Sequence, residues 1–134
     1  MSWPSPDMTR EAARLLSPLE LAFVGDGIHT LLVRTRLMGR RPRDMQRMAA
    51  ALVNAKAQAA ALERVLPRLT EEEKDIVRRG RNAHARHPVP HGAGEGDYHA
   101  ATALEALYGY LYLTGQMERL EEIDLIGRGK DDNA

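Results

Sequence analysis

Two carboxylates stand where an apolar pattern leaves little room for charge. Asp26 lies within SPLELAFVGDGIHTLLVRTRL, residues 17–37, and Glu105 within ATALEALYGYLYL, residues 101–113. In the first stretch Leu15, Leu19, Ala22, Phe23, Thr30 and Leu31 recur at helical spacing, so the face they share is expected to be buried, with Asp26 on it. In the second, nearly every side chain from Leu104 to Leu113 is apolar or aromatic, and Glu105 is the exception. An ionised carboxylate in such surroundings costs several kcal/mol unless a cationic side chain or a metal ion compensates it. One acid on each of the two most apolar helices suggests that the helices pack together and form a single acidic site. Oxygen donors of this kind suit hard divalent cations, Mg or Mn, with water and phosphate filling the other positions.

The elements that must position these acids are marked by their ends. Ser17 is a suitable N-cap, Pro18 suits the first helical position and Glu20 follows three residues after the cap. Gly25-Asp26-Gly27 also has the chemistry of a turn. The apolar pattern resumes in phase beyond Gly27, which favours a continuous helix, and glycines beside a carboxylate would let a second helix or a bulky polyanion come close. Arg40-Arg41-Pro42 reads as a connection, followed by a helix from about Arg43 to Val53. Asn54 can cap a third helix, Ala55 to Leu66, closed by Pro67, and Thr70 with Glu73 forms a capping box for a short one ending near Gly80. The long apolar helix is expected to start near Tyr98 after an Asp97 cap and to stop at Gly115. The fold class is all-α, a helical bundle.

Between the last two helices lies RNAHARHPVPHGAGEGD, residues 81–97, rich in glycine, proline and histidine. Connections of this length inside a small domain tend to be binding elements or disordered. His84, His87 and His91 have ligand-like spacing, but no cysteine or rigid element holds them, so they read as solvated loop histidines rather than a zinc site.

The chain of 134 residues, 43% of them hydrophobic, is sized for one domain with its own core. With no cysteine it excludes disulfides, thiolate nucleophiles and cysteine-ligated zinc. The first residues lack the pattern of a secretory signal and no apolar run is long enough to span a membrane, so a cytoplasmic location is expected. Net charge is zero, yet Arg34, Arg36, Arg40, Arg41, Arg43 and Arg47 cluster in one stretch, and Arg78, Arg79, Arg81 and Arg86 in another. A neutral chain can therefore present a basic face to nucleic acid. Residues 1–14 read as an N-terminal extension, 15–126 as the folded domain and 127–134 as a polar tail.

FVGDGI, AKAQAAAL at residues 55–62, LTEEEKDIVRRGRNA at 69–83 and LEALYGYLYL, in this order, resemble the catalytic domain of the ribonuclease III family, and within it the short bacterial branch, Mini-ribonuclease III. The resemblance implies an all-helical endonuclease domain that dimerises, binds double-stranded RNA and hydrolyses phosphodiesters with Mg. It places Asp26 on the aspartate of the family's GDA-type signature and Glu105 on the glutamate of its EAL motif, as catalytic metal ligands. Arg79, Gly80, Arg81 and Asn82 match the RGRN element, and Arg79, Arg81 and Asn82, with Arg78, Lys56 and His84, are the candidate RNA contacts. Full-length members carry acids where Ala22 and Thr102 stand here, which bears on whether one metal or two are held. The implied substrate is the precursor of large-subunit (23S) ribosomal RNA. The implied homodimer would draw on surplus apolar side chains of residues 104–113. Two alternatives stand beside this reading: a non-catalytic RNA-binding or ribosome-assembly module of the same fold, and a helical adaptor whose arginines only face solvent.

Overall fold

The computed structural model describes residues 6–83 and 94–129. Seven α-helices account for most of these: α1 (Arg10–Arg14), α2 (Pro18–Arg36), α3 (Pro42–Val53), α4 (Ala55–Val65), α5 (Glu71–Arg81), α6 (Glu95–Leu113) and α7 (Met117–Arg128), with a 3-10 turn at Leu66–Arg68 between α4 and α5. No strand occurs among the described residues, so the expected all-α class holds. No helix among them is long and apolar enough to cross a membrane.

Local sequence accounts for most helix starts. The Ser17 hydroxyl accepts the Glu20 amide at 3.1 Å, and the Asn54 carbonyl oxygen accepts the Ala57 amide at 2.8 Å. At α5 the capping box is complete, Thr70 Oγ1 accepting the Glu73 amide and Glu73 Oε1 accepting the Thr70 amide. Glu73 is buried and is also gripped by Arg119 of α7, at 2.8 and 2.7 Å. Burial alone would raise the Glu73 pKa, but that guanidinium and the Thr70 backbone hold it below its ordinary value. Two boundaries differ from expectation. The helix α6 starts at Glu95 with Gly94 as cap, so Asp97 lies in the first turn, where its charge suits the helix dipole. Residues 84–93 of the histidine-rich segment, including His84, His87 and His91, lie outside the described residues.

The architecture is a central helix inside a ring. Helix α6 packs against α2, α5, α4 and α7, and from Ala100 to Leu111 only Glu105 keeps appreciable exposure. The all-round burial expected from its sequence is found. Those apolar residues are used up by the chain's own core, in which Leu104, Leu107, Tyr110 and Leu111 are at most 1% exposed. Of the stretch 104–113 expected to serve a dimer, only Glu105, Tyr112 and Leu113 keep appreciable exposure, so any surplus for an interface is confined to its last two residues.

The stretch before residue 15 is not a mere extension. Ala13 of α1 is fully buried, and the Met8 amide donates to the Leu113 carbonyl at 3.0 Å, tying this segment to the end of α6. At the other end α7 runs on to Arg128, so Gly127 and Arg128 belong to the packed structure rather than to a tail, with Gly127 against Ala61 and Val65 of α4.

The buried stripe of α2 also differs from the one its side chains suggest. Leu15, Phe23 and Leu31 are 88%, 83% and 60% exposed, while Leu21, Gly25, His29 and Val33 face inward. The reason lies in the seam with α6. A Cβ built on Gly25 would stand 1.6 Å from the Glu105 carbonyl oxygen, and one on Gly109 would stand 1.9 Å from the Leu21 carbonyl oxygen. The two helices cross backbone to backbone at this pair of glycines, so the contact face is centred on residues with no side chain to count. Gly80 of α5 makes a similar close approach, since a Cβ added there would stand 2.9 Å from Ala103 Cα.

Candidate active site

The Gly25–Gly109 seam sets the two acids side by side. Asp26 follows the glycine whose missing side chain admits the Glu105 backbone, so the carboxyl groups come into hydrogen-bonding reach of each other across the seam. Asp26 is exposed rather than sunk in the core, and Glu105 is half-buried. The pair therefore lies at the rim of the helix seam, open to a solvent-borne ligand. Burial pushes the Glu105 carboxyl up, to about 7; the Gln58 amide opposes that shift, and the Asp26 charge and hydrogen bond add to it.

Gln58 is the third member, one that sequence reasoning misses. It is 3% exposed on α4, and its Nε2 donates both to Glu105 Oε2 at 3.2 Å and to the Val53 carbonyl at 2.9 Å. Its carbonyl oxygen is buried with no partner among the described residues. A signal for it does exist: Gln58, Leu62 and Val65 are the buried residues of α4, spaced four and three apart, so a glutamine occupies a core position of an amphipathic helix.

Two adjacent carboxyls form an all-oxygen donor pair that suits a hard divalent cation, with water completing the shell. The residues present fit Mg or Mn. A cation between the acids would also offset the Asp26 charge, which adds to the effect of burial in raising Glu105. No group of three or more acidic or histidine side chains that could hold a metal occurs among the described residues.

The candidate RNA contacts are placed differently from one another. Gly80 of the RGRN element meets Ala103 and Ala106, so the end of α5 packs on α6 at the level of Glu105. Arg78 is exposed and pairs with Asp75, while Asn82 caps α5 through its backbone amide. Arg79 Nη2 donates to the Leu16 carbonyl at 3.2 Å, which braces the junction of α1 and α2. Arg81 is half-buried, Lys56 is exposed on the first turn of α4, and His84 lies outside the described residues. One further polar residue, His29, lines the interior one turn beyond Asp26, edge-on to Tyr108 with ring centroids 5.4 Å apart; burial holds its pKa below the ordinary value.

With fold and site in place, comparison with known proteins is decisive. The sequence profile of the ribonuclease III domain matches residues 19–116. The chain belongs to the ribonuclease III family. A Mini-ribonuclease 3 of Symbiobacterium thermophilum is 49% identical over 123 residues, covering 86% of this chain and 94% of that protein. Another, from a Thermoanaerobacter species, is 44% identical over 119 residues, covering 87% and 83%. A crystal structure of a Fusobacterium nucleatum protein superposes with a TM-score of 0.76 at 35% identity, covering 84% of this chain and 92% of that one. Membership in the ribonuclease III family makes the chain an RNA-cleaving endonuclease.

The raised Glu105 pKa has a testable sign. Between its unfolded value of 4.5 and about 7 the folded protein holds a proton that the unfolded chain has released. Its stabilising effect is complete below pH 4.5 and is lost as pH rises through about 7. The metal-free protein, melted in chelator, should thus lose on the order of 3 kcal/mol between pH 5 and pH 8 that Glu105→Gln does not lose. Mg should restore part of that loss at pH 8, because it binds the ionised pair of the folded state. An identical pH trend in the variant would mean that Glu105 titrates normally.

Proposed function

We propose that this protein is a divalent-metal-dependent endoribonuclease acting on double-stranded RNA, with precursor large-subunit ribosomal RNA as its substrate. The observation that carries this reading is the Asp26–Glu105 pair, two acids held together by a glycine seam at an accessible rim. A structural role would not require like charges to meet there. When bound, Mg or Mn supplies an activated water and neutralises charge on the phosphoryl oxygens. Asp26 and Glu105 would hold it, and Gln58 fixes the rotamer of Glu105 through its bond to Oε2. Arg78, Arg81, Asn82, Lys56 and His84 are the proposed contacts to the sugar-phosphate backbone, with Arg79 bracing the fold beneath them. A-form RNA hides its base edges in a deep major groove, so such contacts read shape more than sequence. The direct test is cleavage of duplex against single-stranded RNA with Mg and with chelator. Duplex RNA bound but never cleaved at any Mg or Mn concentration would favour a non-catalytic RNA-binding module.

A homodimer is part of the proposal, through a surface centred on α2 that takes only Leu113 from the stretch 104–113. Phe23 stands 83% exposed on α2, and with Leu16, Leu19, Val24 and Leu113 it lines a shallow apolar hollow of about 440 Å³. An aromatic ring presented beside a hollow of matching character suits a two-fold contact in which each Phe23 enters the other copy's hollow. Two sites related by that axis would match the two strands of a duplex. Phe23→Glu should convert the dimer to a monomer in light scattering at micromolar concentration with little change in melting of the single chain. A wild-type protein that is monomeric and active would remove the dimer from the proposal.

A further inference from the structure

We propose that the joint between α3 and α4 aims Glu105, with Asn54 and Gln58 as its positioning residues. This assignment rests on the metal-holding role given above to Asp26 and Glu105, and identifies what fixes one member of that pair. A helix leaves its last four carbonyls without helical partners. At the end of α3 three of them are taken by two side chains of the segment that follows. Asn54 Nδ2 donates to the Ala50 and Ala51 carbonyls at 3.3 and 3.2 Å, and Gln58 Nε2 donates to the Val53 carbonyl at 2.9 Å. Asn54 works in both directions, since its side-chain oxygen accepts the Ala57 amide at 2.8 Å and so caps α4. Its backbone carbonyl accepts the Gln58 amide at 3.0 Å.

The rest of α3 is held loosely. None of its residues is buried, and it packs mainly on α2 and α4. Hollows of about 240 and 400 Å³ run along it, one beside Met45 and Ala49, the other beside Met48 and Leu52. Helices owe most of their stability in a protein to a packed apolar face, and this one has only a half-covered face to offer. The place of its C-terminal end is therefore set by the bonds at the joint rather than by the packing of its body.

That end matters to the acidic pair because an amide has two unlike ends. Gln58 is 3% exposed, and the Nε2 that donates to Val53 also donates to Glu105 Oε2 at 3.2 Å. A protonated Glu105 could bond to either end of the amide, whereas an ionised one accepts only from N–H. The Val53 carbonyl accepts from N–H alone, so it keeps the nitrogen of Gln58 turned toward Glu105 in both states of the acid. Displacing the end of α3 would free the amide to turn over, and with it the carboxyl that the amide holds. Asn54 prevents this by tying the last turn of α3 to the start of α4, one turn before Gln58.

The test titrates full-length wild type, Asn54→Ser, Gln58→Leu and the double variant with Mn in the absence of RNA, following free Mn by electron paramagnetic resonance. Serine keeps the cap on α4, because its hydroxyl accepts the Ala57 amide about as well, but it is too short to reach both Ala50 and Ala51. Urea unfolding of Asn54→Ser should therefore match wild type while Mn binds several-fold more weakly. Gln58→Leu should weaken Mn binding about ten-fold, as loss of a group that orients a metal ligand does. The double variant should bind no more weakly than Gln58→Leu, since both changes act through the same bond to Glu105. In cleavage of duplex RNA, Asn54→Ser should raise the Mg needed for half-maximal rate and leave the KM for RNA unchanged, a split that a purely structural joint would not produce. If Gln58→Leu does not fold, Gln58→Met replaces it, and Asn54→Ser still decides. Wild-type Mn affinity in Asn54→Ser, or a double variant weakened by the full sum of the two single effects, would overturn the joint and leave the proposed function standing. Mn binding that is unchanged in Asp26→Asn would instead overturn the reading of the acids as metal ligands, on which the assignment rests.

Discussion

Asp26→Asn and Glu105→Gln should each lower Mg-dependent cleavage of duplex RNA at least about a hundred-fold while the protein still folds. Each change removes a ligand charge without removing volume, and several kcal/mol of transition-state charge stabilisation depends on the cation they hold. Neither should harm the fold. Asp26 is exposed, so its amide has access to water, and a neutral amide at Glu105 resembles the protonated acid toward which burial shifts that group. Duplex binding with Ca should persist, because most of its free energy comes from phosphate contacts elsewhere. Gln58→Leu should show a milder loss, since it leaves both charges and removes only the donor that orients Glu105. Single-turnover cleavage with circular dichroism on the same samples would check this. Near wild-type turnover in Asp26→Asn or Glu105→Gln would show that the chemistry lies elsewhere.

Gly25→Ala should cost several kcal/mol of stability, and Gly27→Ala, two residues on, should cost nothing or stabilise. A methyl at Gly25 would lie 1.6 Å from the Glu105 carbonyl oxygen, which is backbone and has nowhere to retreat without separating α2 from α6. At Gly27 a Cβ would meet nothing within 4 Å, so the helix gains roughly 1 kcal/mol of propensity. Urea unfolding of the two variants should differ in sign against wild type. Gly25→Ala should also lose activity out of proportion to its stability, since any shift of the seam parts Asp26 from Glu105. If Gly25→Ala folds as stably as wild type, the backbone contact at this seam is wrong.

Much of this architecture was legible because it depends on local chemistry. Ser17, Asn54 and Thr70 cap as their types and spacing imply, and the apolar run of α6 could only be a helix covered on every side. The meeting of Asp26 and Glu105 also followed from reasoning about charge on apolar helices, although its premise needed correction. Asp26 is exposed, and Phe23 and Leu31, counted toward a core stripe, point away from it. Hydrophobic periodicity finds a face by its side chains and is blind to one organised around Gly25. Gln58 was missed for the opposite reason, since a polar side chain on an alanine-rich helix reads as surface until a partner across the core gives it something to bond. The carbonyl that braces Arg79 belongs to Leu16, far away in sequence, and a contact of that range leaves no local trace.

The encirclement of α6 also bears on how the site breathes. Its backbone amides have no local route to water, because uncovering any face means moving α2, α4, α5 or α7 first. Hydrogen exchange along Ala100–Leu111 is thereby tied to the opening of the whole molecule, while the exposed side of α2 can fray on its own. Of the two acids, Glu105 is anchored to the slowest-exchanging part of the protein and Asp26 to a helix with one free side. Fluctuation in the distance between them thus arises from α2, so a ligand or partner that quiets α2 tightens the acidic pair without touching Glu105.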